Sequence, residues 1–267
     1  MDQTQFPGRS RAVPHLSSTV SPGAWRPSPE EVGSPPSQVL PILDGRSAVP
    51  VWLNEIGGVT WQIGDGDDRE FLKVGPAHPE FQVVSDVERL RWLQTFVPVP
   101  AVLDAGVEDG VAWLLTQGLP GTSAVDLDLM AGPEEVVDAL GLALRRFHDA
   151  VPLGDCPFTW SVADRGGLSD GRHVPSLDPV VCHGDACTPN TLLVRTDCRL
   201  VCSGYVDVGS CGVADRWADL APALMSLSWN LPAPEGGSDW TARFLQAYGI
   251  EKDSEKLSFY ADLWNAG

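Results

Sequence analysis

Residues 183–194 read HGDACTPNTLLV, and this short polar loop carries a carboxylate, Asp185, and a carboxamide, Asn190, just ahead of strand-forming residues. TLLVRTDCRLVCSGYVD, residues 191–207, is two apolar runs around a turn near Asp197–Cys198, the pattern of a β-hairpin. In an antiparallel hairpin the start of the first strand lies opposite the end of the second. Asn190 is therefore expected beside Asp207, with Asp185 on the loop leading in. Such a set can position a hydroxyl and hold Mg²⁺, a hard cation that takes carboxylate and amide oxygens and keeps substrate phosphates as further ligands. The plainer reading is a turn, because Gly, Asp, Pro and Asn favour turns without any function.

Lysine usage adds a separate clue. The chain has 15 arginines but three lysines, Lys73, Lys252 and Lys256. Lys73 sits in the strand-like EFLKVG, where an apolar pattern does not ask for charge. In so arginine-rich a composition it suggests a point charge for phosphate oxygens, with Asp86 in the following helix able to hold it. The alternative is a surface lysine with its stem on apolar neighbours. No Gly-Lys pair occurs, which excludes a Walker-type phosphate loop. A nucleotide would instead need a β-hairpin cover, and NEIGGVTW (54–61) offers one, with Gly57 and Gly58 allowing close backbone approach.

These residues must be positioned by the elements around them. VWLNEIGGVTWQIGDGDDREFLKVG, from residue 51, reads as three strands with Gly-rich and acidic turns. A helix is expected at about 84–95, then two strands in VPVPAVLDAGVEDGVAWLLTQGLPG. PEEVVDALGLALRRFHDA starts as helix N-termini prefer, with proline and two glutamates, and buries Val136, Leu140, Leu144 and Phe147. After the 191–207 hairpin, helices are expected from about 216 onward. The fold class is α+β, two lobes: a β-rich small lobe at 51–118 and a mainly helical large lobe at 119–267. Residues 1–50 hold nine prolines and eight serines and read as a disordered tail.

The formal net charge is −18. The first 50 residues hold four acids and four arginines, so the folded remainder carries the whole excess. An acidic surface argues against nucleic acid and anionic membranes, and favours solubility or a cationic small-molecule partner. No apolar run reaches the roughly 18–20 residues of a membrane helix. No signal-peptide pattern follows Arg9 and Arg11. The six cysteines lack disulfide-framework or zinc-ribbon spacing, so a cytoplasmic location with reduced thiols is expected.

HGDACTPN and YVDVGSCGVADRWADLA, in this order and spacing, closely resemble the paired signatures of aminoglycoside phosphotransferases. EFLKVGP, ERLRWL, WLLTQGLPGTSA and LRRFHDAVPLGDCPF support the likeness, which covers about 52–160 and 180–267. It is nearest to the streptomycin 3''-phosphotransferases, with the 3'-phosphotransferases second. The resemblance implies a protein-kinase-like fold and ATP-dependent phosphoryl transfer to a hydroxyl of a cationic aminoglycoside. Asp185 would be the catalytic aspartate, and Asn190 and Asp207 would ligate Mg²⁺. Lys73, paired with Asp86, would contact the phosphates of ATP, and NEIGG would close over them. The backbone of the linker, Gln117 and Leu119 included, would meet adenine. His183 and Asp219 would hold the loop, and Arg216 would form an ion pair.

Some positions depart from the family pattern. Asp86 stands where Glu is usual, and Ser210 where many relatives carry Arg. The connection from Phe158 to Val180 is short, which bears on acceptor identity and on activity. A kinase-fold protein that binds without turnover is thus one alternative. Two others come from local patterns: a serine hydrolase on GLSDG (167–171), polar on both sides where a nucleophile elbow needs a strand and a helix, and a zinc site on Cys182, His183, Asp185 and Cys187.

Overall fold

The computed structural model describes residues 27, 29–54, 57–78, 81–126, 128–129, 132–160, 175–197, 199–234, 236 and 239–266. Two short helices, α1 (Pro29–Val32) and α2 (Leu40–Leu43), precede a five-stranded antiparallel sheet. Its strands are β1 (Ala48–Leu53), β2 (Val59–Ile63), β3 (Glu70–Pro76), β4 (Val102–Glu108) and β5 (Val111–Gln117), in the order β1-β2-β3-β5-β4. Helix α3 (Val83–Leu93) lies between β3 and β4, close to the span its apolar spacing predicts.

Alternation along β3 explains its lysine. Leu72 and Val74 point to one face and pack with Trp61, Ile63 and Leu115, while Lys73 points to the other. That other face carries Leu114 and Ala112 against the buried side of α3. A sheet packed on both faces has no neutral place for a charge, so Lys73 is directed into the space between the lobes.

The expected tail ends earlier than residue 50. Val39 and Leu43 are 0% and 6% exposed and close the outer face of the sheet over Trp61 and Leu72. Strand β1 starts at Ala48 and pairs with β2. The apolar stretch VLPIL (39–43) provides this contact, and it is lost to view when composition is averaged over fifty Pro- and Ser-rich residues. The tail expectation for 1–26 and residue 28 lies outside the described residues.

The second lobe contains β6 (Thr122–Ser123), α4 (Pro133–Ala150), β7 (Pro179–Cys182), β8 (Thr191–Thr196), β9 (Arg199–Tyr205), β10 (Gly212–Asp215), α5 (Trp217–Asn230), α6 (Thr241–Tyr248) and α7 (Ser254–Ala266). Helix α4 buries Val136, Leu140, Leu144 and Phe147 as its pattern predicts. Helix α5 is buried on nearly every side from Trp217 to Leu227 and forms the centre of the lobe. The β8–β9 hairpin pairs Thr191 with Tyr205, and β7 pairs with β10. This two-lobe α+β architecture is the fold class expected from the sequence.

Candidate active site between the lobes

The hairpin register places the site. Val206 N–H donates to the Asn190 carbonyl at 2.9 Å, one step beyond the Thr191–Tyr205 pair, and brings Asn190 beside the 206–208 segment. Asp207 follows at φ 58°, in the left-handed region. Its Oδ1 accepts a hydrogen bond from Lys73 Nζ at 2.9 Å, across the cleft from β3. Burial pushes the Asp207 pKa up, but the Lys73 ammonium, by charge and hydrogen bond, outweighs it and holds the carboxyl below its ordinary value. The same exchange acts on Lys73: burial lowers its pKa, while Asp207, Asp86 and Asp185 raise it to a net increase. The aromatic face of Phe81 lies 5.1 Å from the ammonium.

Asp185 is held by its own loop. Asn190 Nδ2 donates to the Asp185 carbonyl at 2.9 Å and to its Oδ2 at 3.0 Å. The other carboxylate oxygen, Oδ1, is buried with no N–H or O–H donor on it. Burial first, and the Asp207 charge second, raise the Asp185 pKa above that of an ordinary aspartate. The Asp185 N–H donates to His183 Nδ1 at 3.3 Å, so the imidazole ties the loop as expected. Gly184 has φ +89°, and a Cβ there would lie 2.2 Å from the Ser210 carbonyl. The HGD triplet thus needs glycine at its centre for two reasons, conformation and close approach.

Behind the loop, Asp219 on α5 is fully buried and accepts the N–H groups of His183 at 2.6 Å and Gly184 at 2.9 Å. His148 Nε2 meets the same carboxylate at 3.0 Å, and its Nδ1 meets Tyr248 Oη at 2.7 Å. Burial works to raise the Asp219 pKa, but the bond and charge of His148 and the loop amides bring it below its ordinary value. Arg216 donates to the same Tyr248 hydroxyl and to Asp178. The backbone anchor at Asp219 and the Arg216 ion pair stand where the sequence reading expected them. His148, through Tyr248, links them.

Lys73 and Asp86 do not form the expected ion pair. The ammonium bonds Asp207, while the Asp86 carboxylate lies against Gly209, where an added Cβ would come 2.5 Å from Oδ1. Aspartate is one methylene short of the usual glutamate, and the extended Lys73 side chain reaches the hairpin end instead. Burial, opposed by Lys73 and reinforced by Asp207, pushes Asp86 up to about 6. It belongs to the cluster electrostatically, not through a direct bond.

Gly57 and Gly58 close the β1–β2 turn. Gly57 has φ +82°, and Gly58 N–H donates to Asn54 Oδ1 at 2.6 Å. That amide is committed to the turn and is not a free phosphate donor. In the linker, Gly118 N–H donates to the Arg69 carbonyl at 2.7 Å, and the Arg69 guanidinium reaches the carbonyls of Leu119 and Gly121. Gln117 N–H donates to Ala101. An adenine edge at Gln117 and Leu119 must use the groups these bonds leave over. Arg69, and Arg89 on α3, which donates to the Cys211 carbonyl at 2.8 Å, carried no sequence signal, being two among fifteen arginines.

The zinc alternative loses its geometry. Among the described residues, the His, Cys and carboxylate groups that converge closely are His148, Cys182 and Asp219, buried under the loop, while the Cys182 thiol faces the Asp215 carbonyl. The GLSDG segment lies outside the described residues. For a magnesium ion the donors do fit: Asn190 spends its NH₂ on Asp185, which leaves its amide oxygen, and Asp207 has a carboxylate oxygen beyond the one bonded to Lys73.

A twisted antiparallel sheet over a helical lobe, with a strand lysine reaching an aspartate and an Asp–Asn loop beside it, defines a kinase-like phosphotransferase. The family model described as "Phosphotransferase enzyme family" matches residues 56–173 and 168–260, and the chain belongs to that family. It is 33% identical over 246 residues to an aminoglycoside 3'-phosphotransferase of Streptomyces fradiae, covering 76% of this chain and 89% of that one. It is 31% identical over 269 residues to a streptomycin 3''-kinase of Streptomyces griseus, covering 85% and 96%. The solved aminoglycoside phosphotransferase APH(3'')-Id of Streptomyces rimosus superposes with a TM-score of 0.66 at 28% identity, over 86% and 97% of the two chains. The same protein has been solved with ADP and streptomycin, at a TM-score of 0.61 and 27% identity over 85% and 95%. The chain is therefore an enzyme of the aminoglycoside phosphotransferase kind.

Proposed function

We propose that the protein transfers the terminal phosphoryl group of ATP to a hydroxyl of an aminoglycoside, the 3''-hydroxyl of streptomycin, and so confers resistance to it. The observation that carries this is the Asp185 carboxylate, oriented on one oxygen by Asn190 and left buried and without an N–H or O–H donor on the other. That oxygen is the acceptor for the substrate hydroxyl, which Asp185 orients and whose proton it takes. Lys73 meets the phosphates, exchanging its bond to Asp207 for them. Asn190 and Asp207 would hold Mg²⁺, which would supply charge neutralisation for the transferred group. Transfer of this kind is positioning plus charge neutralisation, so few reactive groups suffice. The lobes divide at the linker near residue 118, where Gln117 and Leu119 frame adenine. ATP supply and five thiols free among the described residues agree with a cytoplasmic setting. Among the described residues no helix is long and apolar enough to cross a membrane.

Streptomycin is preferred because the likeness to the Streptomyces griseus kinase covers more of both chains, 85% and 96%, than that to the Streptomyces fradiae enzyme, 76% and 89%. The higher identity to the Streptomyces fradiae enzyme favours a second reading, phosphorylation of a 3'-hydroxyl in the kanamycin and neomycin class. The test is ADP release from Mg-ATP with streptomycin, kanamycin or neither, for the wild type and Asp185→Asn. Streptomycin-dependent release abolished by the substitution is expected. Release with kanamycin alone moves the assignment to the 3' class, and release unaffected by Asp185→Asn removes Asp185 from the mechanism.

A further inference from the structure

Among the described residues one tryptophan is left exposed: Trp229, at 53%. It lies in the last turn of α5, and the Trp264 ring, from the last turn of α7, sits 5.7 Å from it at 42°. A helix end that only needs solubility carries a polar or charged residue, and exposing an indole costs apolar burial. Position makes the exposure informative. Three residues before Trp229, Ser226 accepts the Thr188 N–H at 2.9 Å, and Thr188 is in the turn between Asp185 and Asn190. Residues three apart share one side of a helix. The catalytic loop is thus fastened to α5 at Ser226, and Trp229 follows one turn further along the same helix.

The electrostatics around the indole pair favour a cation. The C-terminal end of α5 lies there, and a helix C-terminus carries roughly half a negative charge. Helix α5 has no basic residue in its last turn to balance it. The chain as a whole is at −18. An aromatic face adds attraction for a positive group, most of all for a planar, weakly hydrated guanidinium, which stacks where a compact ammonium keeps its water.

From these observations we propose that Trp229 and Trp264 form the specificity-determining seat for a guanidinium group of the acceptor. The inference rests on the aminoglycoside reading above and deepens it, by naming the residues that prefer streptomycin, which bears guanidinium groups, over ammonium-only aminoglycosides such as kanamycin.

The experiment is calorimetric titration of the full-length protein, loaded with Mg-ADP, with streptomycin and with kanamycin, for the wild type, Trp229→Ala and Trp229→Phe. Trp229→Ala is expected to weaken streptomycin about tenfold, a cation–π contact's worth, with kanamycin and ADP affinities little changed. Trp229→Phe keeps most of the affinity. A thermal melt of each variant confirms folding, and Trp264→Ala repeats the test from the other helix. Unchanged streptomycin binding in folded Trp229→Ala overturns the seat, as does an equal loss for kanamycin or a wild type that does not bind streptomycin. Trp229-dependent binding without ADP release would leave the seat standing and sink the catalytic reading. Turnover with unchanged binding in the variant would do the reverse.

Discussion

Asp185 and Asp86 are two carboxylates of one cleft set apart by what touches them. In its proposed role Asp185 must be ionised to take a proton, and burial together with the Asp207 charge raises its pKa. The acid limb of the kcat/KM profile is therefore expected above the ordinary aspartate value, with activity falling as pH drops through it. A profile flat down to about pH 4 would contradict this. Asp86 bears on stability. Its folded-state value is about 6 against an ordinary 3.8, so the folded chain keeps a proton that the unfolded chain has released. Stability from this group is fully present below about 3.8 and is lost as pH rises through about 6. Urea melts at pH 4.5 and 7 are expected to show Asp86→Asn losing less stability with rising pH than the wild type, by on the order of 2 kcal/mol. Asp185, Asn190, Asp207 and Lys73 were legible because their residue types stand out against their neighbours. The partner that Lys73 takes was not, since side-chain reach depends on how the lobes meet.

At the scale of elements, the strongest signals were the hairpin at 191–207 and the apolar stripe of α4, both periodic over a dozen residues or more. Their register and burial follow the sequence closely because one buried face fixes each. The segment before β1 was misread for the opposite reason. Its four-residue helices are too short to show a period, and their neighbours are proline and serine. Leu43 is the critical contact there, 6% exposed over the sheet. Leu43→Ala is expected to lower stability by about 2–4 kcal/mol, measured by chemical denaturation. A change under about 0.5 kcal/mol, the range of ordinary surface positions, would return this segment to the status of a tail.

For the whole molecule, charge is the property that composition states most plainly. With −18 on the chain, the proposed polycationic acceptor would be attracted to the protein, and added salt would screen that attraction. The KM for streptomycin is expected to rise as sodium chloride goes from low to physiological concentration. The KM for a neutral acceptor should stay nearly constant, and parallel changes would remove the field from the account. The two-lobe division was readable from the switch of hydrophobic period near residue 120, whereas the bonds joining the lobes were not. They come from Arg69, Arg89 and Lys73, whose partners lie 50 or more residues away along the chain.

The bond between Lys73 and Asp207 spans 134 residues and joins strand β3 to the far side of the cleft. It ties the lobes directly: the ammonium proposed to meet phosphate is paired across the cleft with Asp207. On the proposed role of Lys73, phosphate binding would substitute one anion for another there, with no gain in the number of charge pairs. Lys73→Ala should leave a wider molecule in solution, with a larger radius of gyration by small-angle scattering than the wild type at low salt. High salt should narrow that difference by loosening the wild type. Equal radii under both conditions would mean that the lobes are held by the linker and α3 alone.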